Sequence, residues 1–235
     1  MIKLVVTTSA LALVSVSAPS LAQTTYTNRA SFNAAAGSIA AADFNGYAID
    51  TEFRTSAVDV GPFSLIGSGN RQDDRNIIDA AAGIFGDYFS LNGTSYVLGQ
   101  VGGFANGTSS FELLFDTPTF AFGADFKDLN DLPGITQITI NAVSYVPGVN
   151  ADFFGYVSTT AFSSVSFSST NPNGPHSIDN FGFDNVAFSN AAVPEPASWM
   201  MMIGGFCLIG AATRRHHTAN ATHAYVWATS QRASP

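Results

Sequence analysis

The sequence predicts a mostly β chain whose main domain is an antiparallel, jelly-roll-like β-sandwich. Hydrophobic residues make up 46% of the 235 residues, with 20 Phe among them, which is enough apolar material for one sizeable core. Short runs rich in Phe, Val, Ile, Thr and Ser are separated by Gly, Pro, Asn and Asp, the usual turn residues. Ile138 and Ile140 alternate with Thr139 and Asn141, which is typical of a strand with one buried face. Runs spaced by roughly 10–15 residues favour a sandwich over βαβ units.

The order of turn and apolar residues predicts each element of this domain. A short helix is predicted over Asn28–Ala36, with Asn28 as its N-cap and Gly37 as its stop. One helical turn is predicted within 73–82, and a β-bulge at Asp184-Asn185 explains a phase shift of the apolar residues in the last strand. The predicted strands are 57–66, 88–90, 95–98, 110–115, 119–126, 136–145, 153–158, 161–168 and 181–188.

Composition and charge limit the function classes. Nine basic residues against 17 acidic residues give a net charge of −8, which excludes the cationic surface of a nucleic-acid binder. One cysteine, Cys207, excludes a disulfide scaffold and a Cys-cluster zinc site. Residues 23–192 hold five basic and sixteen acidic residues, a charge near −11, which favours cation binding over contact with phosphate surfaces.

The first 22 residues have the pattern of a secretory signal peptide. Lys3 supplies the positive n-region, 4–16 form an apolar run, and small residues at Ser20 and Ala22 place the cut before Gln23. This pattern predicts export through the Sec translocon and leaves 23–192 as the exported domain.

A second apolar segment, 197–213, contains no charged residue and is predicted to be a transmembrane helix. As a helix its 17 residues would span about 25 Å, close to the thickness of the hydrocarbon core of a bilayer. Trp199 stands at one edge, and Arg214 and Arg215 follow at the other. The positive-inside rule then places the two arginines in the cytoplasm. A mixed polar tail, 216–235, follows them.

The residues just before this helix read Val193-Pro194-Glu195-Pro196. Pro-Glu-Pro, an apolar helix and the Arg214-Arg215 pair together resemble the PEP-CTERM sorting signal of Gram-negative bacteria, here over 193–215. The resemblance implies recognition by exosortase, a membrane transpeptidase, and sorting to the cell envelope or extracellular matrix. Exopolysaccharide is a candidate partner, since such proteins occur in bacteria that make it. The family pattern usually ends just after the basic cluster, whereas here the polar tail continues.

The best cation candidates in the exported domain lie in one predicted turn. Asp125, Asp128, Asn130 and Asp131 offer the hard oxygen ligands that Ca²⁺ prefers, although their spacing is not that of an EF-hand. Asp179 and Asp184, near a strand end, are second candidates. Ca²⁺ is the only cofactor that the residues suggest, and the alternative is that Asp and Asn simply favour turns.

Catalytic motifs are absent from the sequence: it contains no metalloprotease, P-loop or nucleophile-elbow pattern. His176 is the single histidine of 23–192 and sits in a turn-rich stretch, so any Ser-His-Asp triad would need it. We therefore expect a non-enzymatic structural or adhesive protein. A carbohydrate- or Ca²⁺-binding lectin-like module is the first alternative, and a periplasmic hydrolase is the second.

Overall fold

The computed structural model of the chain describes residues 23–69, 76–80, 83, 85, 88–104, 107–131, 135–171, 177–192, 202–207 and 209. The described part holds one helix in the main domain, α1 (Arg29–Ala36), and an antiparallel sheet. The prediction of a mostly β, antiparallel chain with a short N-terminal helix is therefore confirmed. The strands are β1 (Gln23–Tyr26), β2 (Ala40–Ala42), β3 (Thr51–Glu52), β4 (Val58–Asp59), β5 (Phe63–Gly69), β6 (Ile77–Asp79), β7 (Tyr96–Phe104), β8 (Gly107–Lys127), β9 (Thr136–Ile140), β10 (Val143–Tyr145), β11 (Phe153–Ser169) and β12 (Asp179–Ser189).

Helix α1 begins and ends where the sequence predicts. The Asn28 side chain accepts a hydrogen bond from the Ser31 backbone N–H at 3.1 Å, which satisfies an otherwise free donor of the first turn. Gly37 ends the helix at φ +74°, a conformation that favours glycine. Phe32 is fully buried on the sheet above Gly155. A Cβ at Gly155 would lie 2.7 Å from the Phe32 ring, so this glycine lets the helix pack closely.

Two long strands, β8 and β11, connect the two halves of the sheet, one half containing β5 and the other containing β12. The first half of β8, Ser109–Phe115, pairs with β5, while its second half pairs with β12. Strand β11 accompanies β8 along both halves, and its register shifts between Val157 and Ser164. The sequence analysis predicted each of these strands as two, because polar residues and Pro118 interrupt the apolar pattern. At these interruptions each strand continues, but β8 changes its pairing partner and β11 shifts register.

The aromatic residues of the two halves meet in one core. Phe111 of β8 and Phe167 of β11 stack at 4.6 Å between ring centroids, directly opposite each other in the ladder. Phe183 of β12 stacks on both, at 5.9 Å from Phe111 and 5.7 Å from Phe167. Each of the three is essentially inaccessible to solvent. The phenylalanines therefore bury the inward faces of both halves against each other.

Several local predictions need correction. Residues 88–90 form a bend rather than a strand, and 77–79, which fell inside the predicted helical turn, form β6. The predicted strand 136–145 is a hairpin, because Asn141 and Ala142 take positive φ angles of 51° and 61°. The short strands β1, β2 and β3 were not predicted.

The terminal predictions fall mainly on residues outside the described part. Residues 1–22 and 216–235 lie entirely outside it, as do 193–201. Residues 202–207 are helical, within the predicted span 197–213. Among the described residues, no helix has the length and apolar character needed to cross a membrane.

Candidate functional site

The predicted bulge of β12 is present and shapes the most unusual polar site of the domain. The pairing of β12 with β8 shifts register between Asp184 and Ala187, and Asn185 takes a positive φ of 53°. Asp184 stands directly opposite Asp125 of β8. Both carboxylates lie on the outward face, because Phe126 and Phe183, their neighbours in sequence, belong to the core. The bulge thus places two like charges side by side, an unfavourable cross-strand pair.

One arginine of α1 neutralises the β8 member of this pair. Arg29 Nε donates to Asp125 Oδ1 at 2.8 Å, and Arg29 Nη2 donates to the Asn185 carbonyl at 2.8 Å. Asn185 Nδ2 donates to the other Asp125 oxygen at 3.0 Å. The guanidinium also lies 4.9 Å from the centroid of the Phe153 ring, within the range of a cation–π contact. Asp125 therefore has both oxygens engaged, and it joins helix, bulge and sheet.

Asp184 has no such partners. The residue is 1% exposed, and neither carboxylate oxygen accepts a hydrogen bond of normal geometry. Burial raises the pKa of Asp184 to about 6, and the charges of Asp43 and Asp125 contribute to the rise. The Asn185 backbone and the Asn92 side chain offset part of this rise in pKa. Asp184 is thus a buried carboxylate surrounded by acidic neighbours.

Two open clefts flank the bulge, and both are lined by Asp125 and Asn185. The first has a volume of about 370 Å³ and is also lined by Arg29 and Asp43. The second, about 420 Å³, is lined further by Leu91, Asn92, Phe126, Lys127 and Asp152. Together with Asp184 at the bulge, the described residues of the site include more carboxylates than cationic side chains.

The remaining predicted cation ligands lie in a separate network. Asn130 takes a φ of +60°, and its Oδ1 accepts a hydrogen bond from the Thr136 N–H at 2.6 Å. Asp179 Oδ2 accepts hydrogen bonds from the Asn130 N–H, at 3.0 Å, and from the Thr136 hydroxyl. These bonds close the turn between β8 and β9 onto β12. The polar atoms of Asn130 therefore serve the backbone of the turn.

Burial changes the acid–base properties of this turn as well. It raises the pKa of Asp179 to about 6, even though three hydrogen bonds oppose the shift. Burial and the neighbouring charge of Asp128 raise the pKa of Asp131. The structure thus brings Asn130 and Asp179 together and leaves Asp125 with Asp184 at the bulge. Ca²⁺ binding by Asp125, Asp128, Asn130 and Asp131 remains a prediction.

Within the described residues, no group of three or more His, Cys, Asp or Glu side chains is arranged to hold a metal ion. His176 and the sorting residues Val193–Pro196, Arg214 and Arg215 lie outside the described part. Asp43 is a residue that the sequence analysis did not single out. Its only sequence signal is its position just after a short alanine run, which forms the edge strand β2.

Residues 192–215 match the family model of the PEP-CTERM protein-sorting motif. The chain carries a PEP-CTERM sorting motif. This match confirms the resemblance drawn from the Pro-Glu-Pro, apolar and Arg-Arg pattern. The motif implies an exported protein that an exosortase recognises and that is processed at the membrane. No curated protein matches the sequence.

Partial structural similarity is found to a carbohydrate-binding module and to the catalytic domain of a glucanase. A family 11 carbohydrate-binding module from Clostridium thermocellum, in complex with a β-1,3-1,4-mixed-linked tetrasaccharide, is 12% identical with a TM-score of 0.34. The match covers 63% of this chain and all of that one. The catalytic domain of a GH87 α-1,3-glucanase is 13% identical with a TM-score of 0.30, over 57% of this chain and 29% of its own. Both likenesses are too weak to indicate a function.

Proposed function

We propose that this protein is an exosortase substrate that delivers a folded β-domain to the cell envelope or the extracellular polysaccharide matrix. The sorting motif at 192–215 is the observation that carries the proposal. Its position supports the proposal, because β12, the last strand of the domain, ends at Ser189. A cut within or just after 193–196 would remove no strand of the sheet.

The proposed sequence of events follows from the charge and hydropathy of the two ends. The signal peptide 1–22 directs the chain to the Sec translocon, and the apolar segment 197–213 then stops in the inner membrane with Arg214-Arg215 inside. The two prolines of 193–196 favour an extended conformation, because proline fixes φ and disfavours helix in the preceding residue. An extended segment at the membrane surface is accessible to a transpeptidase.

A motif variant tests this proposal. In an exosortase-bearing host, the Glu195→Ala variant is expected to remain in the membrane fraction, whereas the wild type is released from it. Glu52→Ala is the matched control, because Glu52 is an exposed glutamate far from the motif in sequence. Equal release of Glu195→Ala and wild type would contradict recognition through Pro-Glu-Pro.

We propose further that the delivered domain is structural or adhesive and not an enzyme. Glycoside hydrolysis needs two carboxylates that flank one cleft. The buried Asp179 and Asp184 lie on opposite faces of β12, since Asp179 shares the inward parity of Phe181 and Phe183. They cannot act as such a pair. Each of the two clefts does hold two carboxylates, but in both one of them is Asp125, whose two oxygens are engaged by Arg29 and Asn185. An antiparallel β-domain with a buried aromatic core suits a load-bearing or spacing role.

A carbohydrate-binding module is the second candidate, and one exposed aromatic favours it. Tyr88 is 64% exposed and lies edge-to-face on Phe89 at 4.7 Å between centroids. An exposed ring that a neighbouring aromatic side chain keeps in position can stack on the apolar face of a sugar. Tyr88→Ala should then abolish retention on the matrix polysaccharide of the host, whereas the exposed Val149→Ala should not. Equal retention of all three proteins would contradict this candidate.

A further inference from the structure

The buried Asp184 carboxylate lacks the compensation that a buried charge requires. It is 1% exposed, and neither oxygen accepts a hydrogen bond of normal geometry. Buried carboxylates are normally paired, hydrogen-bonded or bound to a metal. Its cross-strand neighbour is another carboxylate, Asp125, which adds repulsion.

Neither Arg29 nor Lys127 forms a hydrogen bond with Asp184. Arg29 bonds Asp125 and the Asn185 carbonyl, both at 2.8 Å. Lys127 Nζ donates to the Ser90 carbonyl at 3.1 Å. Asp43 and Asp125 line the first cleft, Asp125 and Asp152 line the second, and Asp184 is buried at the bulge beside them. Among the described residues of the site, four carboxylates thus stand against the two cations Arg29 and Lys127, an imbalance that favours a bound cation.

The fold brings a second carboxylate to Asp184 through strand pairing. Ala42 of β2 is paired with Val186, so Asp43, the next residue, follows the antiparallel ladder toward Asn185 and Asp184. Asp43 lines the first cleft and is exposed to solvent. Its Oδ1 accepts a hydrogen bond from the Asn45 N–H at 3.1 Å, which holds the carboxylate in a tight turn.

We propose that Asp184 and Asp43 bind one Ca²⁺ ion at the β12 bulge, between the end of β2 and the outer face of the sheet. Ca²⁺ takes six to eight oxygen ligands, including carboxylates, backbone carbonyls and water. Asp184 offers both of its oxygens and Asp43 offers Oδ2, the oxygen that does not bond the Asn45 N–H, while water and backbone carbonyls complete the shell. Asp125 is not a ligand, because Arg29 and Asn185 occupy its oxygens. The ion fastens the chain after β2 to the last strand of the domain.

The proposal keeps Asp184, a second candidate of the sequence analysis, but replaces the four ligands predicted first with Asp43. The predicted turn, with Asp128 and Asp131, is a different place in the fold, so the two possibilities predict different mutational results. The proposal also does not depend on sorting, because calcium binding by the purified chain requires no exosortase.

Calorimetric titration of the purified full chain with CaCl₂, in detergent and after chelator treatment, tests the proposal. Wild type should bind one Ca²⁺ per chain, and added Ca²⁺ should raise its Tm. Asp43→Asn should bind at least tenfold more weakly and should lose the Tm increase. Because Asp43 is exposed, this substitution should not impair folding. Asp184→Asn, a change of one atom at a buried site, should behave in the same way.

Two controls separate this site from the alternatives. Asp116→Asn, at an exposed aspartate of β8, should bind as wild type does, and so should the double variant Asp128→Asn/Asp131→Asn. The proposal is overturned if wild type shows neither binding nor a Tm increase at millimolar CaCl₂. It is equally overturned if Asp43→Asn binds as tightly as wild type, or if the double variant alone loses binding.

Discussion

Asp179→Asn should remove a large part of the pH dependence of folding. Asp179 is fully buried, with Oδ2 bonded to the Asn130 N–H and the Thr136 hydroxyl, while Oδ1 has no hydrogen-bond partner. Burial raises its pKa from 3.8 to about 6 despite those bonds. The folded protein therefore holds the Asp179 proton more tightly than the unfolded chain does.

The sign of the effect follows from proton linkage. Below the unfolded pKa of 3.8, Asp179 is protonated in both states and carries no electrostatic penalty. As the pH rises from about 4 to about 6, the unfolded chain ionises more readily, so the folded state loses stability. The difference between 3.8 and about 6 corresponds to about 3 kcal/mol at neutral pH. The substituted asparagine would keep the shape and the acceptor oxygen of the side chain without its charge.

Urea unfolding of the purified chain between about pH 3 and pH 8 measures this effect. Asp179→Asn should match the wild type near pH 3.5 and exceed its free energy of unfolding by about 3 kcal/mol near pH 7. Asp116→Asn, at an exposed position, should follow the wild-type curve. Parallel curves for wild type and Asp179→Asn would refute the reasoning, and so would an advantage of the variant at acid pH alone.

Two further substitutions test the core and the attachment of α1. Phe167→Ala should lower the free energy of unfolding by about 3–5 kcal/mol, because the ring fills the centre of the aromatic core. Val146→Ala, at an exposed position, should change the free energy of unfolding by less than about 0.5 kcal/mol. Equal effects of the two substitutions would contradict the core assignment. Arg29→Met should cost about 1–2 kcal/mol, since it removes a partly exposed ion pair and a charged hydrogen bond. A double-mutant cycle with Asp125→Asn should reveal coupling, and strict additivity of the two substitutions would show that the pair contributes nothing.

Local signals in the sequence predicted the local features correctly. Asn28 and Gly37 mark the ends of α1 because a cap and a positive-φ stop depend on only a few residues. The phase shift of the apolar residues around Asp184 predicted the bulge, since a change in strand parity is visible in the pattern itself. The three-part order of the sorting motif was likewise readable along one segment.

Features that depend on distant pairing were not predictable in the same way. Strands β8 and β11 each continue through a polar interruption, at which β8 changes its pairing partner and β11 shifts register. Local composition does not reveal which strands pair. The separation of Asp125 from Asn130 has the same origin. Strand alternation turns Asp125 toward Arg29, whereas Asn130 turns back to Asp179 across 49 residues of sequence. The approach of Asp43 to Asp184 requires the pairing of β2 with β12.

The most direct test of the proposed function is the intact mass of the protein recovered from the envelope and the medium of an exosortase-bearing host, with mapping of its C-terminal peptide. The proposal predicts that the recovered chain begins at Gln23 and ends within or just after Val193–Pro196, and that an exosortase-deficient host retains the longer form. Recovery of a membrane-bound chain that still contains Trp199 through Pro235 in both hosts would contradict it.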